Sequence, residues 1–339
     1  MSATETDEVA ATPVLVQPVP RAEGMPGWQR GALAVAGLAL ALVPMFVLES
    51  FQLFQLTMAV ITALAVLGLN VVTGYNGQIS LGHGAFYAVG AYATAILMSH
   101  AEWSFWATLP VSAAVCAGLG FLVGFPALRL GGLYLALTTF SLAVAVPQIL
   151  KHRSIEDWTG GVQGLFLVKP DPPSWLPLNA DQYMYLNALL VSAVMFLLAW
   201  NLIRSRIGRA LMATRDHPTA AEAMGMDIAS LKTRVFAVSA MITGIAGSLG
   251  AVAVEYVAPD SFGVAVSINL FVGMVVGGVA SILGSVFGGL FVLFVPNIAE
   301  EISKAAPGVI YGAILIGFLF LLPDGVAGLL RRLAARWRR

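Results

Sequence analysis

Ser80 and His83 are the residues of this chain whose types and spacing come closest to a catalytic pair. A serine three residues before a histidine supplies a nucleophile and a general base, which intramembrane hydrolysis would require. The neighbouring sequence offers no carboxylate to fix the imidazole tautomer, so this chemistry is disfavoured. The remaining histidines, His100, His152 and His217, are scattered and lack metal-ligand spacing. We therefore expect no catalytic residue and no metal site, and the sequence does not predict an enzyme.

Chemistry based on cysteine, ATP or a proton gradient is also poorly supported. The single cysteine, Cys116, lies in an apolar run, which excludes a disulfide framework and a cysteine-based metal site. The chain has no Gly-x-x-x-x-Gly-Lys-Ser/Thr motif, so it is not predicted to bind ATP in that manner. Acidic residues are nearly absent from the apolar runs, where a proton-driven carrier usually needs ionisable groups. If the chain transports a solute actively, we expect a partner protein to supply the energy.

The elements that must position these residues are apolar helices in a bilayer. The 339 residues are 58% hydrophobic and 11% charged, with a mean hydropathy of +0.85, whereas soluble domains are about 25% charged. The 18 basic and 18 acidic residues cancel, so no basic field favours nucleic acid. The sequence predicts an all-α polytopic membrane protein with about ten transmembrane helices. The apolar runs are 31–48, 53–73, 80–98, 105–125, 130–150, 184–203, 235–254, 264–283, 284–299 and 307–323.

The distribution of Lys and Arg predicts the orientation of these helices. With a cytoplasmic N-terminus, all but four of the 18 basic residues fall on the inner side, as the positive-inside rule requires. Both termini are therefore predicted to be cytoplasmic. The predicted organisation has a disordered tail over 1–30, a membrane domain over 31–325 and a basic tail over 326–339. An outer loop at 151–183 and an inner loop at 204–233 are the long connections. The four outer basic residues are Lys151, Arg153, Lys169 and Lys304.

Two weaker patterns concern the loops and the internal symmetry. Five apolar runs on either side of the outer loop are compatible with two inverted five-helix repeats, and the segments 77–82 and 278–284 share a texture of small residues. In the inner loop, Asp216 resembles a helix N-cap with Pro218 in the first turn, and Gly225 resembles a C-cap. The inner loop is therefore predicted to contain a short helix outside the bilayer.

Four blocks of the sequence resemble the branched-chain amino acid ABC transporter permeases of the LivM type. The likeness runs from about residue 60 to 325, in family order, and the first block is the most specific. The sequence departs from the family at Asp216-His217-Pro218, where a more acidic stretch is expected, and residues 1–30 match nothing in it. The blocks are GLNVVTGYNGQISLGHGAF at 68–86, GGLYLALTT at 131–139, TGGVQGL at 159–165 and EAMG at 222–225.

The resemblance implies an ABC importer permease subunit in the bacterial inner membrane, without a cofactor of its own. The implied partners are a second permease subunit, two cytoplasmic ATP-binding subunits that use ATP and Mg, an extracytoplasmic binding protein and an amino-acid substrate. For docking of the binding protein we name Trp158, Gly160 and Gly161 in the outer loop. The inner loop would couple the ATPase to the helices through Arg209, Arg215, Glu222, Ala223 and Gly225.

The substrate path is predicted from polar groups in or beside apolar runs, where unpaired polarity is costly. Hydrogen bonding between helices explains each of these residues equally well. Other functions stay open: a urea or short-chain amide permease of the same family, a stand-alone secondary carrier, and a structural membrane protein. The predicted path residues are Tyr75, Gln78, Ser80, His83, Thr138 and Thr139.

Overall fold

The computed structural model describes residue 37 and the ranges 41–127, 132–304 and 306–336. The chain divides into two compact units, Met1–Pro44 and Met45–Arg339. The predicted N-terminal tail and half of the predicted run 31–48 lie outside the described residues. The second unit contains a bundle of long helices that run back and forth, joined by connections with short helices and one pair of two-residue strands.

The first half of the bundle contains the helices that carry most of the resemblance blocks. A π-helix at Asn70–Tyr75 continues the second helix without interruption. The elements in this half are α1 (Pro44–Val47), α2 (Ser50–Leu69), the π-helix, α3 (His83–Ala101), α4 (Phe105–Ala127), α5 (Leu133–Leu150), α6 (Glu156–Thr159) and β1 (Leu165–Phe166).

The second half begins after the outer loop. The strand β2 pairs antiparallel with β1, with Leu165 opposite Val257 and Phe166 opposite Tyr256. The elements are α7 (Ala180–Arg204), α8 (Arg206–Asp216), α9 (Pro218–Ala223), α10 (Ile228–Val254), β2 (Tyr256–Val257), a 3₁₀ helix (Pro259–Phe262), α11 (Val264–Gly277), α12 (Ile282–Ile302), α13 (Pro307–Leu321) and α14 (Gly325–Arg336).

Within the described ranges, seven helical stretches are long and apolar enough to cross a membrane. This confirms an all-α polytopic membrane protein, whereas the count of ten and the inverted repeats stay predictions. Helices α3 and α5 occupy the predicted runs 80–98 and 130–150, but they are shorter or less apolar than these seven stretches. The seven stretches are Ser50–Tyr75, Phe105–Phe125, Ala180–Arg204, Ile228–Val254, Pro259–Gly277, Ile282–Ile302 and Pro307–Ala334.

Helices α2 and α10 form the centre of the bundle. In an apolar stretch of 18 residues within α10, 83% is buried, and the corresponding share is 72% in Ser50–Tyr75 and 17% in Pro307–Ala334. Close packing here depends on small residues, as is usual between helices in lipid. A side chain at Gly244 of α10 would collide with the buried Cys116 of α4, whose thiol donates a hydrogen bond to the Phe86 carbonyl at 3.5 Å.

The long helices separate two ends of the bundle. Residues 205–227 and the helix interruptions at 76–82 and 278–281 lie together at one end, which we call the inner end after the predicted orientation. The paired strands and the connection at 255–263 lie at the opposite end of α10, which we call the outer end. The second interruption begins at Gly278, five residues before the predicted boundary at 283/284.

Candidate functional site

Two interrupted helices meet at the inner end, and Asn70 joins them. Its amide nitrogen Nδ2 donates to the carbonyls of Gly278 (3.2 Å) and Ser281 (2.9 Å) and to Ser285 Oγ (3.2 Å). Its Oδ1 accepts a hydrogen bond from the Ala280 amide at 2.8 Å. Backbone groups freed by a helix break at membrane depth need such partners, because lipid provides none. One asparagine side chain therefore satisfies several groups at the break between α11 and α12.

The backbone at this break is strained, and the first interruption packs directly against it. Ala280 has a φ of 55°, a left-handed conformation that costs free energy in a residue with a Cβ. A Cβ placed on Gly74 of the π-helix would lie 2.6 Å from the Ala280 nitrogen. Only glycine permits this approach, so the π-helix that leads into the first interruption contacts the second interruption through Gly74 and Ala280.

The first interruption is held by buried polar groups. After the wide π-helical turn, the Gln78 amide donates to the Val72 carbonyl at 3.1 Å, and Thr73 Oγ1 donates to the Gln78 carbonyl at 2.9 Å. Asn76 Nδ2 donates to Gln78 Oε1 at 2.6 Å. Tyr75 and Gln78, both predicted path residues, are buried here. π-helical turns are rare in proteins, and those that occur often lie at functional sites.

His83 is fully enclosed in a chain of hydrogen bonds at the start of α3. Ser239 Oγ lies 2.6 Å from the Gly68 carbonyl, which can only accept, so the hydroxyl proton of Ser239 is used there. Ser239 must then accept from His83 Nε2, 2.6 Å away. In the neutral ring, Nδ1 is then unprotonated and accepts from Ser80 Oγ at 2.8 Å. The arrangement thus selects one tautomer of the neutral histidine, with Ser80 as its hydrogen-bond donor.

The two predicted threonines of α5 point in different directions. Thr139 is buried, and its Oγ1 accepts from the Leu81 amide at 3.0 Å, which ties α5 to the first interruption. Thr138 is exposed, and it donates to the carbonyl of Tyr134 one turn earlier at 2.9 Å. The structure thus brings five of the six predicted path residues together around the first interruption and leaves Thr138 apart from them.

The inner loop contains two short helices, and α9 is the helix that the sequence predicts. It ends in a Schellman motif, because the Gly225 amide donates to the Glu222 carbonyl (2.9 Å) and the Met226 amide to the Ala221 carbonyl (3.2 Å). Gly225 has the required left-handed φ of 81°. The predicted N-terminus is displaced by one residue, since His217 occupies the N-cap and Asp216 ends α8.

Arg215 links this loop to the first interruption. Its Nη1 donates to the Gly74 carbonyl at 2.8 Å, and its Nε pairs with Asp216 at 2.9 Å. Arg209, by contrast, donates to the Arg204 carbonyl at 3.3 Å within the loop itself. Arg215 therefore connects α8 directly to the π-helix.

The surface of α9 faces away from the bundle. Ala221 is buried and anchors the helix, whereas Glu222, Ala223 and Gly225 are exposed. Met224 is 81% exposed. The predicted coupling residues therefore divide into three groups. Glu222, Ala223 and Gly225 are exposed at α9, Arg209 bonds within the loop, and Arg215 reaches the π-helix.

The outer end carries the three predicted docking residues. Trp158 of α6 is 58% exposed and packs on the His100 ring with a centroid distance of 5.4 Å. Gly160 and Gly161 follow α6 in left-handed conformations. Thr159 Oγ1 accepts from the Gly161 amide at 3.2 Å, which fixes this turn.

An ion-pair cluster fastens the outer loop to the bundle. Lys169 Nζ lies 2.9 Å from Asp181 Oδ1 and 3.2 Å from Glu255 Oε2. Burial lowers the pKa of Lys169, but hydrogen bonds and charge from the two carboxylates raise it more, so the pKa lies above the usual value of 10.5. Lys151 pairs with Asp260 nearby. The outer end is thus held by charges at the surface.

Several further residues at the two ends have a recognisable signal in the sequence. Asn70 and Ser239 are polar residues inside apolar runs, the same signal that led to Tyr75 and His83. Thr62, Tyr87 and Asn269 have this signal too, and they line a cavity at the outer end. In the described residues, no group of three or more His, Cys, Asp and Glu side chains could hold a metal ion.

Comparison with known proteins identifies the class. Residues 52–322 match the family described as branched-chain amino acid transport system / permease component. The high-affinity branched-chain amino acid transport system permease protein LivM of Escherichia coli is 30% identical over 312 residues, which cover 85% of this chain and 71% of the relative. The autoinducer 2 import system permease protein LsrC of an Enterobacter species is 25% identical, covering 85% of this chain and 83% of the relative. No solved structure matches the chain.

These matches define an ABC importer permease, a multi-pass protein of the inner membrane. The chain belongs to the branched-chain amino acid transport system / permease component family. The resemblance predicted from the four sequence blocks is thereby confirmed. BraD of Pseudomonas aeruginosa, a permease protein of high-affinity branched-chain amino acid transport, is 24% identical over 80% of this chain and 93% of the relative.

Proposed function

We propose that this chain is one transmembrane subunit of an importer for branched-chain or other apolar amino acids, driven by ATP hydrolysis in separate subunits. The observation that carries the proposal is the match over most of the chain to LivM, whose name states this transport. The proposed assembly adds a second permease subunit, two cytoplasmic ATP-binding subunits that use ATP and Mg, and an extracytoplasmic binding protein. The chain itself has no proposed enzymatic activity or cofactor, and both termini lie in the cytoplasm.

The proposed coupling runs through the inner end. The ATP-binding subunits contact the exposed surface of α9 at Glu222, Ala223 and Gly225 and displace α8 and α9 when they close. Arg209 lies on the same loop, and its charge pairs with acidic groups of the ATPase. Arg215 carries the displacement to the Gly74 carbonyl, 2.8 Å away, and so to the π-helix. Rigid-body movement of this kind is a common route to alternating access.

The other predicted residues have proposed roles at the outer end and at the first interruption. Trp158, Gly160 and Gly161 receive the binding protein at the outer end. Solute passing the inner end meets the first interruption, where the predicted path residues gather. Because the polar atoms of Ser80, His83 and Thr139 are bonded within the protein, we assign these residues to shaping the passage rather than to holding the substrate tightly. A separate binding protein would supply the affinity.

Purification of the complex followed by reconstitution tests this function. The tagged chain is co-expressed with its genomic neighbours, isolated in mild detergent and placed in proteoliposomes with the binding protein. We expect a second multispanning chain and Walker-motif ATPases to remain bound. Uptake of radiolabelled L-leucine should require ATP on the side of the membrane that carries the ATP-binding subunits. Uptake by the isolated chain along an ion gradient would establish a secondary carrier instead. Inhibition of the ATP-driven uptake by urea or acetamide, but not by L-valine, would establish the amide permease.

A further inference from the structure

A cavity of about 280 Å³ opens at the outer end of the bundle, and none of the inner-site residues described above lines it. Its wall is formed by α2, α3, α10, α11 and α12 and by the connection at 255–263. The exposed residues Val254, Tyr256 and Ser261 lie at its mouth. The volume is just below the range of about 300–1,000 Å³ that is typical of pockets for drug-sized ligands, so it suits a smaller molecule.

The lining combines apolar side chains with neutral hydrogen-bonding groups. Thr62 of α2, Tyr87 of α3 and Asn269 of α11 supply hydroxyl and amide groups from three different helices. Apolar side chains such as Met58 and Val292 form most of the remaining wall. None of the residues that line this cavity in the described chain is charged. A solute with a net charge would lose its hydration there without a counter-ion, which is costly.

Gly250 makes room for the Tyr87 side chain in the cavity wall. A Cβ at Gly250 would collide with the Tyr87 hydroxyl, so the ring of Tyr87 occupies a position that only glycine allows. Tyr87 also lies one helical turn after His83, on the same face of α3, and Gly84 between them donates to Ser267 Oγ of α11 at 2.9 Å. The helices α3 and α11, which line the cavity, are therefore also helices that border the inner interruptions.

From these features we infer that the outer cavity is a transient binding site for a neutral amino acid with an apolar side chain, and that it excludes amino acids of net charge. The amide of Asn269 both donates and accepts, and with the hydroxyls of Thr62 and Tyr87 it hydrogen-bonds the ammonium and carboxylate groups. The apolar wall receives the side chain. Neutral partners bind a zwitterion weakly, which suits a site that must release its ligand. This inference rests on the proposed function and adds a site and a specificity to it.

Site-directed thiol labelling tests the inference, because Cys116 is the only cysteine and is buried. In a Cys116→Ala background, Ser261→Cys places a thiol on the cavity wall, and Ala265→Cys places one on an exposed position outside the lining. The assembled transporter in proteoliposomes is treated from the outer side with a membrane-impermeant methanethiosulfonate. L-Leucine at ten times its half-protecting concentration should slow labelling at position 261 about tenfold, by mass action. L-Lysine and L-glutamate should give no protection, and position 265 should be unaffected.

An isosteric pair of variants tests the polar wall. Asn269→Leu should raise the L-leucine concentration that gives half protection by about three- to tenfold, as expected for loss of a hydrogen bond. Ile268→Leu, at the exposed neighbouring position, should leave it unchanged. Equal protection in both variants, or protection by L-lysine, would overturn the assignment, and so would failure to label position 261.

ATP-driven L-leucine uptake, measured in the same vesicles, separates the two proposals. Uptake without protection rejects the cavity site and retains the importer. Protection without uptake supports the site and contradicts the importer. Absence of both rejects both.

Discussion

The inner and outer ends of the bundle are stabilised by different kinds of interaction. At the inner end, neutral groups such as Asn70 and His83 are buried and hydrogen-bonded to partners far away in the chain. At the outer end, Lys169 pairs with carboxylates that are partly exposed to solvent, and the strands contribute only two residues each. Buried neutral networks tolerate little substitution, because an orphaned partner stays buried. Exposed ion pairs contribute little and are weakened by salt.

The strongest test of this contrast is Asn70→Leu. It keeps the branched shape of the side chain but leaves the Ala280 amide and the Gly278 and Ser281 carbonyls without their partner. We expect a loss of about 2–4 kcal/mol in the free energy of unfolding, measured by steric trapping or thermal denaturation in bicelles. Asn187→Leu is the matched control, because the Asn187 Nδ2 is buried in the described structure without a hydrogen-bond partner. Equal losses in the two variants would show that the contacts of Asn70 add nothing specific.

Removing the guanidinium of Arg215 should affect transport more than stability. In Arg215→Met the hydrogen bond to the Gly74 carbonyl is lost, while the aliphatic stem over Gly77 is retained. We expect the number of L-leucine molecules transported per ATP hydrolysed to fall roughly tenfold, as for loss of a charge-assisted hydrogen bond used in coupling. Arg209→Met, on the same loop, should change this ratio little. A normal ratio in Arg215→Met would contradict the transmission of movement through this contact.

Two glycines sharpen the comparison at a smaller scale. Gly225→Ala places a Cβ on a left-handed residue at the inner end and should cost about 1 kcal/mol. Gly263 at the outer end has an ordinary φ of −62° and open space around its Cβ position. Gly263→Ala should therefore change the free energy of unfolding by less than about 0.5 kcal/mol, because restriction of the unfolded chain offsets the weaker N-cap preference of alanine at the start of α11. Thermal unfolding measures the stability of the two variants. An equal loss of stability in both would contradict the expected difference between the two glycines.

The outer ion pairs should give the smallest effect. Lys169→Met should lower the free energy of unfolding by less than about 1 kcal/mol, and added salt should reduce the difference. Because the folded-state pKa of Lys169 is raised, its contribution is fully present below the usual lysine pKa of 10.5 and is lost as pH rises through the folded value. Unfolding of both proteins from pH 8 to 12 measures this. A difference that grows with pH would reverse the expected sign.

The local features of this fold could be predicted from the sequence, and the long-range features could not. The helix α9 and its end at Gly225 follow from residues within one short segment, and both are observed. The break at Gly278 interrupts a nearly uniform apolar stretch from 264 to 299, so hydropathy placed it incorrectly. Thr138 and Thr139 are adjacent in sequence, and only the packing of α5 decides which one is buried.

The same reason explains why Asn70 and the outer cavity were missed. Asn70 is a polar residue in an apolar run, and the polar residues of the outer cavity lie in such runs too. Their neighbours in the structure come from helices that are distant in sequence. A pattern of residue types along one chain indicates that a polar group needs a partner, but it does not say which partner. Tertiary contacts supply that information.

The reach of Asn70 has a consequence for biosynthesis. Its hydrogen bonds to Gly278 and Ser281 join residues 208 and 211 positions apart. At a ribosomal rate of about 5–20 residues per second, the partners of Asn70 emerge roughly 10–40 s after it does. During that interval the newly inserted N-terminal helices carry an unpaired amide in the bilayer. We expect them to remain in contact with the insertion machinery or a chaperone until α11 and α12 enter the membrane and complete the bundle.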